Sequence, residues 1–544
     1  MKILVAQLNY TIGDFQGNTE KILLALARAR KDQVDLIVFS ELAICGYPPE
    51  DLLLQEGFVE EMESCLQKII KASLGLFLLV GLARKNPSKI GKRFYNSAAV
   101  IENGSLLGFH DKWLLPTYDV FDEARYFEPG SSCLTWECKG KRIAVLICED
   151  IWQHAGEVNW SSYSKDPVKL LAYQKVDCLI NISASPYYVE KLDLRIRVCK
   201  QTAKTLKCPL VLCCQVGGND QLVFDGYSLF MDANGNVLEI AKGFEEDINI
   251  WDLDQKMPSA HVFLPSVQDM FSALVLGVRD YFHKSDFKKA CLGLSGGIDS
   301  AVVACVAVEA LGKENVLSVA MPSRYTLDSS TEDAKLLASQ LGIAYQEIPI
   351  EPPFQAYLDL LGPYFKNLPE DVTEENLQAR IRGMILMAFS NKFGHILLST
   401  GNKSEMALGF MTLYGDLCGG LSVISDLTKK QVYEVASYIN REKEIIPVSI
   451  LQKEPSAELK PNQKDSDSLP SYDLLDAIVH SYIEEGKSAK TIAVEKNLEL
   501  SFVQDLIKKI HRAEYKRRQA PPSIRVSQKS FRDGRKVPIV QKWE

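Results

Sequence analysis

Between the apolar run Ala290-Cys291-Leu292-Gly293-Leu294 and the helix-like stretch Ala301 to Leu311 lies Ser295-Gly296-Gly297-Ile298-Asp299-Ser300. Strand, glycine turn and helix start follow one another there, and no other stretch of the chain restricts its fold as much. Two glycines let the backbone approach an anion closely, and the free N–H groups of the helix start face that anion with a favourable dipole. Phosphate is the natural occupant of a cradle made by Gly293, Leu294, Ser295, Gly296, Gly297, Ile298, Asp299 and Ser300. A Walker A loop requires a lysine before its last Ser or Thr, whereas Asp299 precedes Ser300 here, which disfavours an ordinary P-loop GTPase or ATPase.

What remains resembles the pyrophosphate-binding loop of the ATP pyrophosphatases, which cleave ATP between the α and β phosphates to activate a substrate as an adenylate. The pattern around the loop agrees. A helix is expected over 267–282, and then strand and helix alternate: Cys291 to Leu294, Ala301 to Leu311, Val316 to Met321, Thr331 to Leu341, Ala344 to Ile348. Such alternation implies right-handed βαβ units and a doubly wound parallel sheet, with ligands beyond the strand C-termini.

At 544 residues the chain exceeds one ordinary core, and two large domains are expected. Residues 1–255 form the first, 256–266 a polar, proline-punctuated linker, and 267–544 the second. A hydrophobic content of 46% with 24% charged residues reads as soluble and globular. No apolar run reaches the roughly 18 residues of a membrane helix, and the N-terminus reads as a first strand rather than a signal peptide. Thirteen scattered cysteines without a C-x-x-C pair, beside seven histidines, argue against a disulfide scaffold or zinc site and fit a reducing cytoplasm. A net charge of −8 excludes general nucleic-acid affinity, which rests on neutralising phosphates. The basic stretch from Lys508 to Lys536 is the local exception, either a solvated tail or an anion-binding closing segment. The polar stretch from Lys453 to Tyr472 is either a linker or a mobile loop over the active site.

In the first domain, β-like runs at Ile3 to Gln7, Leu36 to Phe39, Phe77 to Gly81, Ser97 to Ile101, Ile143 to Ile147, Cys178 to Ile182 and Leu210 to Cys214 mix with amphipathic helices. Three segments end such runs with a reactive residue: Val38-Phe39-Ser40-Glu41, Phe109-His110-Asp111-Lys112 and Val145-Leu146-Ile147-Cys148-Glu149-Asp150. Each alone has an ordinary reading as a solvated cap, a surface lysine or an inert core thiol. Together with the flanks Glu41-Leu42-Ala43-Ile44-Cys45-Gly46-Tyr47-Pro48 and Lys112-Trp113-Leu114-Leu115-Pro116, the order Glu, Lys, Cys resembles the nitrilase superfamily, whose members hydrolyse carbon–nitrogen bonds on an αββα sandwich. The residue types suit that chemistry. A carboxylate, Glu41, takes the proton of the thiol nucleophile Cys148, while Lys112 and backbone N–H groups stabilise the oxyanion. Glu123 either orients the substrate or leaving ammonia or is a surface carboxylate. The resemblance implies that Tyr118, Ser185 and Lys191 hold a glutamine substrate.

An adenylating enzyme that makes an amide needs unprotonated ammonia, scarce at neutral pH, and a glutaminase on the same chain supplies it. Further segments point to the acceptor: Glu375-Asn376-Leu377-Gln378-Ala379-Arg380-Ile381-Arg382, Ser399-Thr400-Gly401-Asn402-Lys403-Ser404-Glu405, Tyr414-Gly415-Asp416, Ala457-Glu458-Leu459 and Lys516-Arg517-Arg518-Gln519-Ala520-Pro521. With the Ser295 loop these resemble the NAD synthetases, and the whole chain resembles their glutamine-dependent family. The resemblance implies that deamido-NAD, ATP and L-glutamine are the substrates, with Thr400 on ATP, Asn376, Glu405 and Lys516 serving deamido-NAD, and Asp299 and Glu405 on Mg²⁺. Arg324 is a further nucleotide contact or a surface arginine. Synthetase domains of this kind pair, so a homo-oligomer is expected. GMP and asparagine synthetases combine a similar ATP loop with glutaminases of other types. A regulatory protein with two inactive halves is the other alternative, and the intact reactive residues oppose it.

Overall fold

The computed structural model describes the chain except residues 89, 157–161, 256, 258–265, 367, 468, 533 and 544, and the side chain of 467. Two compact units result, Met1–Leu264 and Pro265–Glu544. The expected linker falls almost wholly outside the described residues.

The first unit is built on two six-stranded sheets. One runs in the order Asp247–Asp252, Lys2–Gln7, Leu36–Phe39, Phe77–Lys85, Phe94–Glu102, Ser105–Asp111; the other in the order Val237–Ile240, Leu229–Met231, Leu210–Cys214, Cys178–Ser183, Lys141–Ile147, Thr135–Cys138. The central three strands of the second sheet are parallel, as are Lys2–Gln7, Leu36–Phe39 and Phe77–Lys85 in the first. Alternate residues of a strand face opposite ways. Ile3, Val5, Leu36 and Val38 accordingly meet Val145, Ile147, Ile180 and Val211 between the sheets. Leu4, Ala6, Ile37 and Phe39 face outward onto the helices Phe15–Lys31 and Phe58–Ala72 through Ile22, Leu26, Met62 and Ile69. On the other side, Leu146, Leu179 and Leu212 pack on Val168, Leu171 and Val198 of the helices Pro167–Ala172 and Lys191–Leu206. Because both faces are covered, Leu36-Ile37-Val38-Phe39 is apolar without alternation, and each such side chain contributes about 1.5–3 kcal/mol. The result is the αββα sandwich.

The second unit carries a five-stranded, wholly parallel sheet in the order Ala344–Glu347, Val316–Ala320, Ala290–Gly293, Ile396–Ser399, Leu421–Ser422. Strand order reverses beside Ala290–Gly293, so a crevice opens between that strand and Ile396–Ser399. The helix Ile298–Leu311 starts at the crevice and is buried nearly all round, which explains its apolar sequence.

The basic C-terminal stretch is neither simply solvated nor simply anion-seeking. Arg517 and Arg535 are buried on the Glu514 carboxylate at 2.9 and 2.7 Å, and Arg525 donates to the Ser527 carbonyl at 3.1 Å. Their charges are consumed inside the fold, since a buried guanidinium persists only when paired. Among the described residues, no helix is long and apolar enough to cross a membrane.

Candidate active sites

Glu41, Lys112 and Cys148 each lie just beyond the end of a sandwich strand, and the fold brings them together. Lys112 is fully buried, and its Nζ lies 2.7 Å from Glu41 Oε1 and 2.7 Å from Glu123 Oε1. Burial works to lower the ammonium's pKa, but Glu123 and Glu41 outweigh it and hold it well above the ordinary lysine value. Glu41 also accepts from Asn96 Nδ2 at 2.7 Å and from the Ala184 N–H at 2.9 Å, so its side chain has one orientation. Cys148 opens a short 3₁₀ turn with φ +43°, a conformation unusual for a side-chain-bearing residue that lifts it off the end of its strand. Burial pushes its thiol well above the usual range, Glu41 adds to this and Lys112 opposes it. The thiol therefore resists ionisation in this setting, and the Lys112 ammonium relieves part of that resistance.

Glu123 is buried rather than a surface carboxylate, and burial pushes it up to about 7 while it accepts from Lys112 and from Tyr47 Oη at 3.0 Å. Tyr118 donates to Glu149 at 2.9 Å. Lys191 is buried with its ammonium 4.2 Å from the Trp152 ring centre and 4.5 Å from that of Tyr188. Ser185 is buried just past the strand Cys178–Ser183. Two further side chains that bond these residues carry no local signal in the sequence. Asn96 sits inside a strand among core residues, and Glu149 was overshadowed by Cys148.

Burial also pushes Glu149 up to about 7 from an ordinary value near 4.5. For a carboxyl group whose folded pKa is raised, stability is fully present below pH 4.5 and is lost as pH rises toward 7. Glu149→Gln is accordingly expected to gain stability over the parent as pH is raised from about 5 to about 8, by on the order of 3 kcal/mol, read from urea midpoints. Gly81 makes a second test. A Cβ there would lie 2.4 Å from both Ser40 O and Leu42 N, the backbone on either side of Glu41. Gly81→Ala should cost about 1–3 kcal/mol, read from the thermal unfolding midpoint.

In the second unit the glycine loop lines a cleft of about 320 Å³ at the reversal of strand order. Gly296 adopts φ +77°, and a Cβ would meet Ser330 O at 2.1 Å, so only glycine fits. Ser300 Oγ receives the Ser295 N–H at 3.2 Å and donates to Gly297 O at 3.0 Å, folding the loop over the helix start. Gly297 caps that helix without a side chain. Across the crevice, Thr400 lines the cleft, and Asn402 begins the helix Lys403–Leu408 by accepting the Glu405 N–H at 3.0 Å. Asn402 Nδ2 also donates to Asp299 at 3.1 Å, tying the two loops together.

Asp299 and Glu405 flank the Lys429 ammonium, which bonds Asp299 and lies 3.7 Å from Glu405. Burial and the neighbouring Asp299 push Glu405 up to about 8. Among the described residues, no three His, Cys, Asp or Glu side chains form a ready-made metal cage. Mg²⁺ characteristically takes one or two carboxylates and completes its shell with phosphate oxygens and water, and the Asp299–Glu405 pair beside a phosphate cradle suits that mode.

Three predicted contacts stand apart from the cleft lining. Arg324 binds Glu351 at 2.9 Å and Gln355 at 2.8 Å. Asn376 accepts from the lining residue Thr412 at 2.6 Å. Lys516 donates to Gly409 O and Met411 O, both at 2.7 Å. The stretch from Lys453 to Leu459, with Asp465, forms one wall of the cleft, and Lys453 pairs with Glu458 at 3.0 Å; residue 468 of the expected lid lies outside the described residues. Lys429 and Lys453 were missed because each reads locally as an ordinary surface lysine.

Residues 2–260 match the carbon-nitrogen hydrolase family and residues 270–520 the NAD synthase family. Over its whole length the chain is similar to the glutamine-dependent NAD(+) synthetase of Synechocystis sp., at 46% identity with 99% of this chain and 98% of the relative covered. It is also similar to the enzyme of that name from Thermotoga maritima, at 42% identity with 100% and 99% covered. The solved glutamine-dependent NAD+ synthetase from Acinetobacter baumannii, in complex with adenosine diphosphate, has a TM-score of 0.78 at 39% identity, covering 100% of this chain and 99% of that one. With both family models matched on one chain and relatives matched end to end, the chain belongs to the glutamine-dependent NAD(+) synthetase family.

Proposed function

We propose that Cys148 draws ammonia from L-glutamine and that the cleft around Ser295–Ser300 uses it to convert deamido-NAD to NAD at the expense of ATP. The observation that carries this reading is the coexistence of a buried Glu41–Lys112–Cys148 centre and a lysine-free phosphate loop at a sheet's switch point. Glu41 takes the thiol proton as Sγ attacks the side-chain amide carbon of glutamine. Lys112 stabilises the oxyanion, and the proton leaves with the nitrogen as NH₃. The γ-glutamyl thioester that remains is hydrolysed by water activated by Glu41, giving glutamate. Glu123, held at Lys112 and able to carry a proton near neutrality, orients the amide or the departing ammonia. Tyr118, Ser185 and Lys191 hold the rest of the glutamine.

In the second unit the loop N–H groups and Ser295 and Ser300 cradle the phosphates of ATP, and Thr400 contacts the same nucleotide. The nicotinate carboxylate of deamido-NAD attacks the α-phosphorus and diphosphate leaves. Ammonia then attacks the acyl carbon of the adenylate, expelling AMP. Mg²⁺, held by Asp299 and Glu405, would offset charge on the phosphates. Asn376, Glu405 and Lys516 serve the deamido-NAD side, and Arg324 is a nucleotide contact only if it leaves Glu351 on binding.

The test measures NAD from deamido-NAD and ATP with glutamine, with ammonium and with neither. Both nitrogen sources should support synthesis. Turnover with ammonium but none with glutamine would remove the glutaminase half of the reading, and none with either would remove the acceptor.

A further inference from the structure

Asp150 lies two residues beyond Cys148, has no exposed surface, and is assigned no part in the chemistry above. Its Oδ1 accepts the backbone N–H groups of Trp113 at 3.0 Å and Leu114 at 2.9 Å, and its Oδ2 accepts that of Ile147 at 3.0 Å. The donors are telling. Trp113 follows Lys112 directly and Ile147 directly precedes Cys148, so one carboxylate ties the segment carrying the ammonium to the turn carrying the nucleophile. These two segments leave different sheets of the sandwich, and sheet packing alone does not set the spacing between their ends to the fraction of an ångström that catalysis requires. His110 Nε2 lies 3.7 Å from Asp150 Oδ2, too long for a hydrogen bond, so the three N–H donors carry the connection. Charge-assisted hydrogen bonds of this kind are short and strongly oriented.

We infer that Asp150 is a positioning residue of the glutaminase centre, fixing Lys112 against Cys148 by bonding the backbone beside each. The inference rests on the proposed role of Cys148 and adds to it the part that sets its geometry. Lys112 opposes the rise in the Cys148 pKa, so a displaced Lys112 leaves the thiol harder to ionise. A neutral amide at 150 has one acceptor oxygen and cannot serve both segments.

The experiment compares the full chain with Asp150→Asn and Asp150→Glu, the second keeping the charge but moving it by one methylene. Four quantities are read: glutamine-driven kcat and KM, ammonium-driven turnover, the unfolding midpoint, and the pH profile of Cys148 alkylation by iodoacetamide, followed on its own peptide by mass spectrometry. Both variants are expected to lose about 10- to 100-fold in glutamine-driven kcat. KM for glutamine and ammonium-driven turnover should stay within about threefold. The alkylation midpoint should move up by about one pH unit as Lys112 withdraws from the thiol. Parental kcat in either variant, or an unmoved alkylation profile, would overturn the assignment. So would failure of both variants to fold, which would leave Asp150 a residue of stability alone. Cys148→Ala run alongside separates the two claims: if that variant still uses glutamine, the underlying reading fails, whatever Asp150 does.

Discussion

Replacing Cys148 with alanine should abolish glutamine-driven NAD formation, by at least ~10³-fold, while ammonium-driven formation stays within about twofold of the parent. The asymmetry follows from the division of labour. On the proposed mechanism the thiol forms and releases the γ-glutamyl thioester and takes part in nothing else, so ammonium supplied from solution bypasses it. Alanine removes only a sulfur from a buried site, and the surrounding Lys112–Glu41–Glu123 set keeps its mutual bonds at 2.7 Å. Thermal unfolding should therefore change little. Steady-state assays with each nitrogen source decide the matter, and equal losses with both would contradict two separate centres.

Asp299→Ala should instead remove synthesis with either nitrogen source, by about 10²–10³-fold. Asp299 stands in the first turn of the helix behind the phosphate loop, bonded to Lys429 and to Asn402 Nδ2. Without it Lys429 keeps Glu405 at 3.7 Å and the charge of Asp465, and the bond from Asn402 that ties the Ser295 and Thr400 loops is lost. A site that must gather several phosphate charges loses both a candidate Mg²⁺ ligand and the arrangement around it. The loss should appear in ATP-dependent diphosphate release as well as in NAD. Retained ammonium-driven turnover would mean that Asp299 neither orders this cleft nor bears metal.

Much of the fold is legible in the sequence. The runs Leu36 to Phe39 and Leu210 to Cys214 are strands with those bounds, because an uninterrupted apolar run between polar turns has few other uses. Leu229–Met231, Val237–Ile240 and Asp247–Asp252 were not recognised. They are short or half-exposed, and their pairing with other strands decides them rather than their own pattern. The same distinction separates Cys148, announced by the strand it ends, from Asn96, whose amide bonds Glu41 from within a strand. Arg324, just past a strand end, reads locally as either a nucleotide contact or a surface arginine, and only the fold places Glu351 of a neighbouring helix against its guanidinium.

The sequence by itself determined the two chemistries, since a glycine loop between strand and helix and a cysteine at a strand end are local geometries set by a few adjacent residues. Only the tertiary structure decided which remote groups complete them. Lys429 reaches Asp299 across 130 positions and Glu41 finds the Ala184 N–H across 143, separations over which nothing in the chain's local pattern carries information. Such contacts arise from the register of packed sheets and helices, and burial then turns them into function by making each charge depend on the partner that folding supplies.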